Sequence, residues 1–216
     1  MEIKQAEFLT TVASEKILKS TKNEFAFVGR SNAGKSSLIN ALTKNSKLAK
    51  VGQTPGVTRN INYFKINKGD LYFVDLPGYG FHKAGKQEED KWAEILENYL
   101  QNSPCLKCVF VLVDSRIPAS ENDKIMIKFL NQYQIPFCVL ATKCDKLKNS
   151  EIERNRKLVA HSLALGESNV IMCSSQTKVG MKDILKTIDN FMWEKAKAFF
   201  LRNYFYSIIY NILNIQ

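Results

Sequence analysis

Residues 29–36 read GRSNAGKS, a G-x-x-x-x-G-K-S pattern that follows the apolar run Phe25–Val28 and opens a helical stretch. Glycines there let backbone N–H groups turn inward around phosphate oxygens, which bulkier residues would obstruct. Lys35 adds a cation at the β/γ-phosphates, and the Ser36 hydroxyl is a ligand for Mg²⁺. The positive end of the helix dipole adds to both. Gly29, Arg30, Ser31, Asn32, Ala33, Gly34, Lys35 and Ser36 are the expected phosphate-binding residues.

Three further segments carry matching chemistry. Asp75, Leu76, Pro77 and Gly78 close an apolar run. The Asp can hold a water of the Mg²⁺ shell, and the Gly78 N–H can meet a γ-phosphate and release its loop when that phosphate leaves. Thr142, Lys143, Cys144 and Asp145 form T-K-x-D. The Asp145 carboxylate can accept from both N1–H and the exocyclic amine of guanine, donors that adenine lacks, while the Lys143 stem covers the base face. A helix cap or a surface charge is the alternative reading of Asp145. Thr142 has no amide to offer neighbouring loops, which predicts weaker binding than an Asn there. Cys173, Ser174 and Ser175 would supply backbone and hydroxyl contacts near guanine O6, although two serines also suit a plain turn. Residues 52–60 read GQTPGVTRN, and Gly56, Val57, Thr58, Arg59 and Asn60 are assigned to the nucleotide. Thr58 is the expected second hydroxyl on Mg²⁺, because it stands just before a strand and reaches back over the γ-phosphate; Thr54 is its rival.

Hydrolysis by in-line attack needs charge neutralisation and a positioned water. Lys35 and Mg²⁺ supply the first, with Thr58 assisting. Tyr79 occupies the position where many small GTPases place a water-orienting Gln, so slow intrinsic turnover is expected. The Asn32 side-chain oxygen could hold K⁺ beside the phosphates, or could simply shape the loop. His82 could position water from its loop, although a solvated loop residue is the plainer reading, and His161 receives no role.

The elements that must position these residues follow from periodicity. Strands are expected at Phe25–Val28, Ile61–Ile66, Leu71–Val74, Cys108–Val113, Phe137–Ala141 and Val170–Cys173, several apolar throughout as in parallel strands covered on both faces. Helices are expected at Lys35–Leu42, Glu88–Gln101, Glu121–Gln134, Glu151–Leu165 and Met181–Ala198, with Ser120 and Ser150 as N-caps. The short turn Asn67–Asp70 joins two strands as an antiparallel hairpin. Asn45–Asn60 and Pro77–Gln87 resist regular assignment. The fold class is α/β, a three-layer P-loop sandwich around a mostly parallel six-stranded sheet with one antiparallel hairpin edge. Residues 1–21 are expected to pack on a domain spanning 22–196, and 197–216 form an apolar helical extension.

Composition narrows the partners. The net charge of +10 favours polyanions, RNA above all, and no DNA contact is expected. Five cysteines without framework spacing, and no secretory pattern in the first twenty residues, predict reduced thiols in the cytoplasm. Cys105 and Cys108 form a C-x-x-C with no second pair at zinc spacing, which favours burial at a strand start. Residues 199–215 (FFLRNYFYSIIYNILNI) are interrupted by Arg202 and several polar residues. They predict an apolar stripe that packs on the domain or self-associates, not a transmembrane segment.

GRSNAGKSS, TPGVT, DLPGYGF, TKCD and CSS together resemble the EngB-type GTPases, also called the YsxC/YihA family, in the Era-related branch. The resemblance runs from about Phe8 to Trp193. It implies a Mg²⁺-dependent GTP/GDP switch that assists assembly of the large ribosomal subunit through rRNA and ribosomal-protein contacts. It also implies a requirement in cell division and septation. The alternative is a nucleotide-dependent scaffold at the division site or membrane with little turnover, favoured by the apolar tail alone.

Overall fold

Strand β2 (Asn23–Gly29) alternates Phe25 and Phe27 toward one face with Ala26 and Val28 toward the other, so both faces are apolar and both must be covered. The computed structural model describes residues 1–12, 18, 20–50, 60–79 and 86–192. Around β2 lie β1 (Ala6–Val12), β3 (Ile61–Ile66), β4 (Leu71–Asp75), β5 (Leu106–Asp114), β6 (Phe137–Thr142) and β7 (Val170–Met172), in the order β1-β3-β4-β2-β5-β6-β7. The β1–β3 and β3–β4 pairings are antiparallel, and the other four are parallel. Helices α1 (Lys35–Thr43), α2 (Lys86–Asn102), α3 (Glu121–Gln132), α4 (Asn149–Ser162) and α5 (181–192) complete the chain.

The sheet therefore has seven strands where periodicity predicts six. The extra strand, β1, comes from the stretch read only as an N-terminal packing segment. Its residues are mostly half or fully exposed, so no apolar run announces it; pairing with β3 makes it a strand. Asn67 straps the preceding residues down: its Oδ1 accepts from Lys4 N at 2.8 Å and its Nδ2 donates to Glu2 O at 2.8 Å. A second difference concerns α4, which begins at Asn149. Ser150 lies inside its first turn, and the Glu151 carboxylate instead accepts the Lys148 N–H at 3.0 Å. Ser120 does cap α3, in a capping box with Asp123. The predicted extension 197–216 and His82 lie outside the described residues, and His161 is exposed on α4.

Helices α2, α3 and α4 cover one face of the sheet through Tyr99, Ile127, Leu130 and Val159. On the other face Leu38 and Ile39 of α1 and Ile184 and Ile188 of α5 pack on Phe25, Phe73 and Phe110. Phe27 and Phe110 stack at 5.2 Å between centroids, a contact worth about 0.5–1.5 kcal/mol beyond area burial. From β2 the chain turns through α1 toward β3 and β4; from β4 it crosses through α2 to β5, on the other side of β2. The loops thus diverge at the carboxyl end of β2, which is where open α/β sheets bind ligands.

The opposite end of β2 carries a polar group inside the core. Glu24 is fully buried, and its Oε2 accepts from Tyr99 OH and Ser103 Oγ, each at 2.8 Å. Its Oε1 has no hydrogen-bond partner among the described residues. Burial pushes the Glu24 carboxyl above its ordinary 4.5, against the lowering effect of Ser103 and Tyr99. A raised folded-state pKa means that the fold prefers the protonated acid; its contribution is present at acid pH and lost as pH rises through the folded value. Glu24→Gln keeps the shape, stays neutral and sets an amide donor where Oε1 stood. It should raise stability at alkaline pH by about 1 kcal/mol and flatten the wild-type decline as pH rises above the ordinary carboxyl value, read by denaturant unfolding.

Candidate nucleotide site

At the carboxyl end of β2 the chain makes a tight turn, Arg30–Gly34, before α1. Asn32 and Gly34 both hold positive φ, 65° and 92°. Gly34 is the N-cap of α1, where a left-handed backbone favours glycine, and a Cβ there would project into open space within the loop's concavity. The helix has no side-chain cap and no acidic residue in its first turn. Its leading N–H groups and positive dipole end are therefore available to an anion. Helix α3, by contrast, has a Ser120 hydroxyl accepting from Asp123 N and the acidic Glu121 and Asp123 in its first turn.

Lys35 and Asp75 form a direct ion pair, both side chains nearly buried. This joins the first residue of α1 to the last of β4. Ser36 lies half-buried in the same turn. Hydroxyl and carboxylate oxygens are the hard donors that suit Mg²⁺, and the ammonium and the open N–H groups suit phosphate, so the residues present fit both. Asn32 is exposed in the loop. Together with Arg30, Ser31 and Ala33 it borders a cavity of about 200 Å³, shared with Asp114, Ile117, Asp123 and Lys143.

The second half of the site is held by two long-range hydroxyls. Thr142, buried at the end of β6, lies 2.7 Å from Ala33 O and 3.0 Å from Val113 O, so its single O–H ties the T-K-x-D loop to the phosphate loop. Thr142 has no amide to offer, as expected from its type, but its hydroxyl reaches the phosphate loop at the Ala33 carbonyl. Ser174 is also buried. Its Oγ donates to Asp145 Oδ1 at 2.6 Å and accepts from Gln176 N and Thr177 N, each at 3.1 Å. The Ser174 hydroxyl is thus engaged with Asp145. That bond, ahead of Lys146, holds the Asp145 carboxyl below the ordinary carboxylate range, and the acceptor stays ionised.

Lys143 stands in the left-handed region (φ 62°), and its Nζ lies 3.1 Å from Asp114 Oδ2. Burial works to raise the Asp114 carboxyl, but the Arg116 fork at 2.7 and 2.8 Å, the Arg116 N–H and Lys143 outweigh it, and its pKa falls well below the usual range. Asp114 and Arg116 escaped sequence reading because nothing local marks them. The thiols of Cys144 and Cys173 turn into the interior, where burial raises both; Cys144 N donates to Cys173 O at 3.2 Å. Neither thiol is exposed, so a nucleotide contact at Cys173 would fall to its backbone, as expected. Leu76 and Pro77 are likewise buried, and Gly78 is half-buried. Cys108 is buried on β5, while the Cys105 thiol donates to Ser20 O.

Thr54, Gly56, Val57, Thr58 and Arg59 lie outside the described residues, and Asn60 is exposed just before β3. The approach to that segment is fixed by Asn40, a buried amide on α1. Its Oδ1 accepts from Ala49 N at 2.7 Å, and its Nδ2 donates to Ala49 O and Ser46 O at 2.9 and 3.1 Å. Tyr79 does not stand where it could orient water. Its ring is buried among the residues beneath α2 and α3, and burial together with Asp123 keeps the phenol protonated.

Known proteins share this arrangement. The family model described as 50S ribosome-binding GTPase matches residues 24–143. A relative in Clostridium acetobutylicum, "Probable GTP-binding protein EngB", is 47% identical over 190 residues, 87% of this chain and 94% of its own. The crystal structure of a probable GTP-binding protein engB superposes with a TM-score of 0.64 at 27% identity, covering 79% of this chain and 99% of that one. Era in complex with MgGDPNP and a 16S rRNA fragment shares the fold, at a TM-score of 0.62 and 21% identity over 78% of this chain and 56% of that one. Sheet, phosphate loop and relatives together define a P-loop GTPase that binds guanine nucleotide and hydrolyses GTP. Within that class, the chain belongs to the EngB family of GTP-binding proteins.

Removing the Ser174 hydroxyl isolates its contribution. Ser174→Ala should weaken GDP binding about tenfold, the effect of losing one hydrogen bond to a charged group, in a titration with a fluorescent GDP analogue. Unchanged affinity would mean that Asp145 needs no such support.

Proposed function

We propose that this GTPase is a Mg²⁺-dependent switch that docks on a precursor of the large ribosomal subunit when GTP-bound and leaves after hydrolysis, and that normal cell division and septation depend on it. The observation that carries the guanine-specific part is the Ser174–Asp145 bond, which aims an ionised carboxylate beside Lys143. On this reading residues 29–36 cradle the phosphates, Lys35 meets the β/γ-phosphates, and Ser36 and Thr58 hold Mg²⁺. Bound there, the metal would neutralise charge on the phosphate oxygens. Asp75 accepts from the metal's water shell, the Gly78 N–H reads the γ-phosphate, and Lys143 covers the base face. Asn32 holds K⁺ beside the phosphates. Support for the ribosomal part comes from the excess of 31 Lys+Arg over 21 Asp+Glu, which suits rRNA, and from the description of the matching family model.

The competing reading, a membrane or division-site scaffold, rests on the tail 197–216. Among the described residues no helix is long and apolar enough to cross a membrane.

Asp145→Asn should lose preference for GTP over ATP by a factor of about ten or more, one unpaired polar contact costing about 1–3 kcal/mol. Wild-type hydrolysis should run faster in KCl than in NaCl, and equal rates would remove the role of Asn32. In sedimented extract containing a GTP analogue, the protein should travel with large-subunit particles. Recovery in a membrane pellet that depends on residues 199–216 would instead support the scaffold.

A further inference from the structure

Tyr79 is fastened on three sides. Its N–H donates to Gly29 O and its carbonyl accepts from Ser31 N, each at 3.2 Å, so that Arg30 and Tyr79 form a parallel bridge beyond the last regular pair of β2 and β4. Its phenol donates to Asp123 Oδ1 at 2.8 Å, and both side chains are buried. The other oxygen of the same carboxylate accepts from Ser120 N at 2.8 Å and Ser120 Oγ at 2.6 Å, which caps α3. An ionised carboxylate accepts on both oxygens and donates on neither, so one side chain can serve both duties where an amide could not. Gly78 sits directly before this anchor, packed so close to the phosphate loop that a Cβ would lie 3.2 Å from Gly29 O and 3.3 Å from Ser31 N.

We propose that Tyr79 is a positioning residue that holds the Gly78 N–H where an arriving γ-phosphate meets it. The inference rests on the reading that Gly78 contacts that phosphate. GDP lacks the group, so the anchor matters to GTP binding and turnover and leaves GDP binding alone. Asp123 contributes through the phenol, and α3 is tied to the phosphate-reading segment by the same carboxylate.

The test compares Kd for GDP and for a non-hydrolysable GTP analogue, together with kcat, in wild type, Tyr79→Phe, Asp123→Ala and the double variant. Tyr79→Phe retains the buried ring. The expected result is GDP affinity within about twofold of wild type and analogue affinity and kcat lower by about tenfold, the equivalent of one lost hydrogen bond. Asp123→Ala should change the ratio of the two affinities equally, and the double variant should add nothing to it, because both remove one bond. Equal losses for both nucleotides, or an unchanged ratio, would overturn the proposal. Failure of wild type to prefer guanine nucleotides would instead overturn the site assignment beneath it.

Discussion

Helix α1 starts on a left-handed glycine, with no side chain to satisfy its first N–H groups and no acid to balance its positive end. That local excess of donors is the constraint around which the carboxyl edge of the sheet is built. It lies where the connections on either side of β2 diverge, so loops from β4, β5 and β6 all converge on it. Lys35 adds to the positive charge and Asp75 answers it. A buried pair of this kind is costly to desolvate and gains from partners that bring their own charge, which a triphosphate does.

The converging loops are not held by their own sequence. Single polar side chains reaching across the fold hold them: Thr142 to Ala33, Ser174 to Asp145, Asn40 to Ser46 and Ala49, Tyr79 to Asp123. Each is buried, and a buried hydrogen bond broken on one side costs about 1–3 kcal/mol. Loops tied in this way keep their register without needing an apolar anchor of their own. Thr142 is the clearest case, a single hydroxyl within reach of the Ala33 and Val113 carbonyls.

The two ends of β2 show opposite treatments of a carboxylate. Asp145 and Asp114 sit near the surface with several donors, and their ionised forms are favoured. Glu24 sits in the core with one oxygen unmet, and its neutral form is favoured. The difference is one of partners and solvent. The functional end of the sheet shifts its acceptors toward the ionised form, and the structural end shifts its acid toward the neutral one.

Much was legible from residue order alone. The strand–loop–helix around residues 29–36, the apolar runs of five parallel-type elements and the Asp145 motif are all local, because periodicity and glycine placement act over a few residues. The capping of α3 by Ser120 was local too. What tertiary structure decided lies beyond that range. β1 has no apolar run and exists because β3 offers an edge. Tyr79 sits one residue from a motif and reads as a failed Gln, yet its phenol belongs to a carboxylate 44 positions away. Ser174 reads as a base contact but spends its hydroxyl on a residue 29 positions away. Sequence determined which groups could do chemistry; hydrogen bonds between distant segments decided which of them face the nucleotide and which hold the others still.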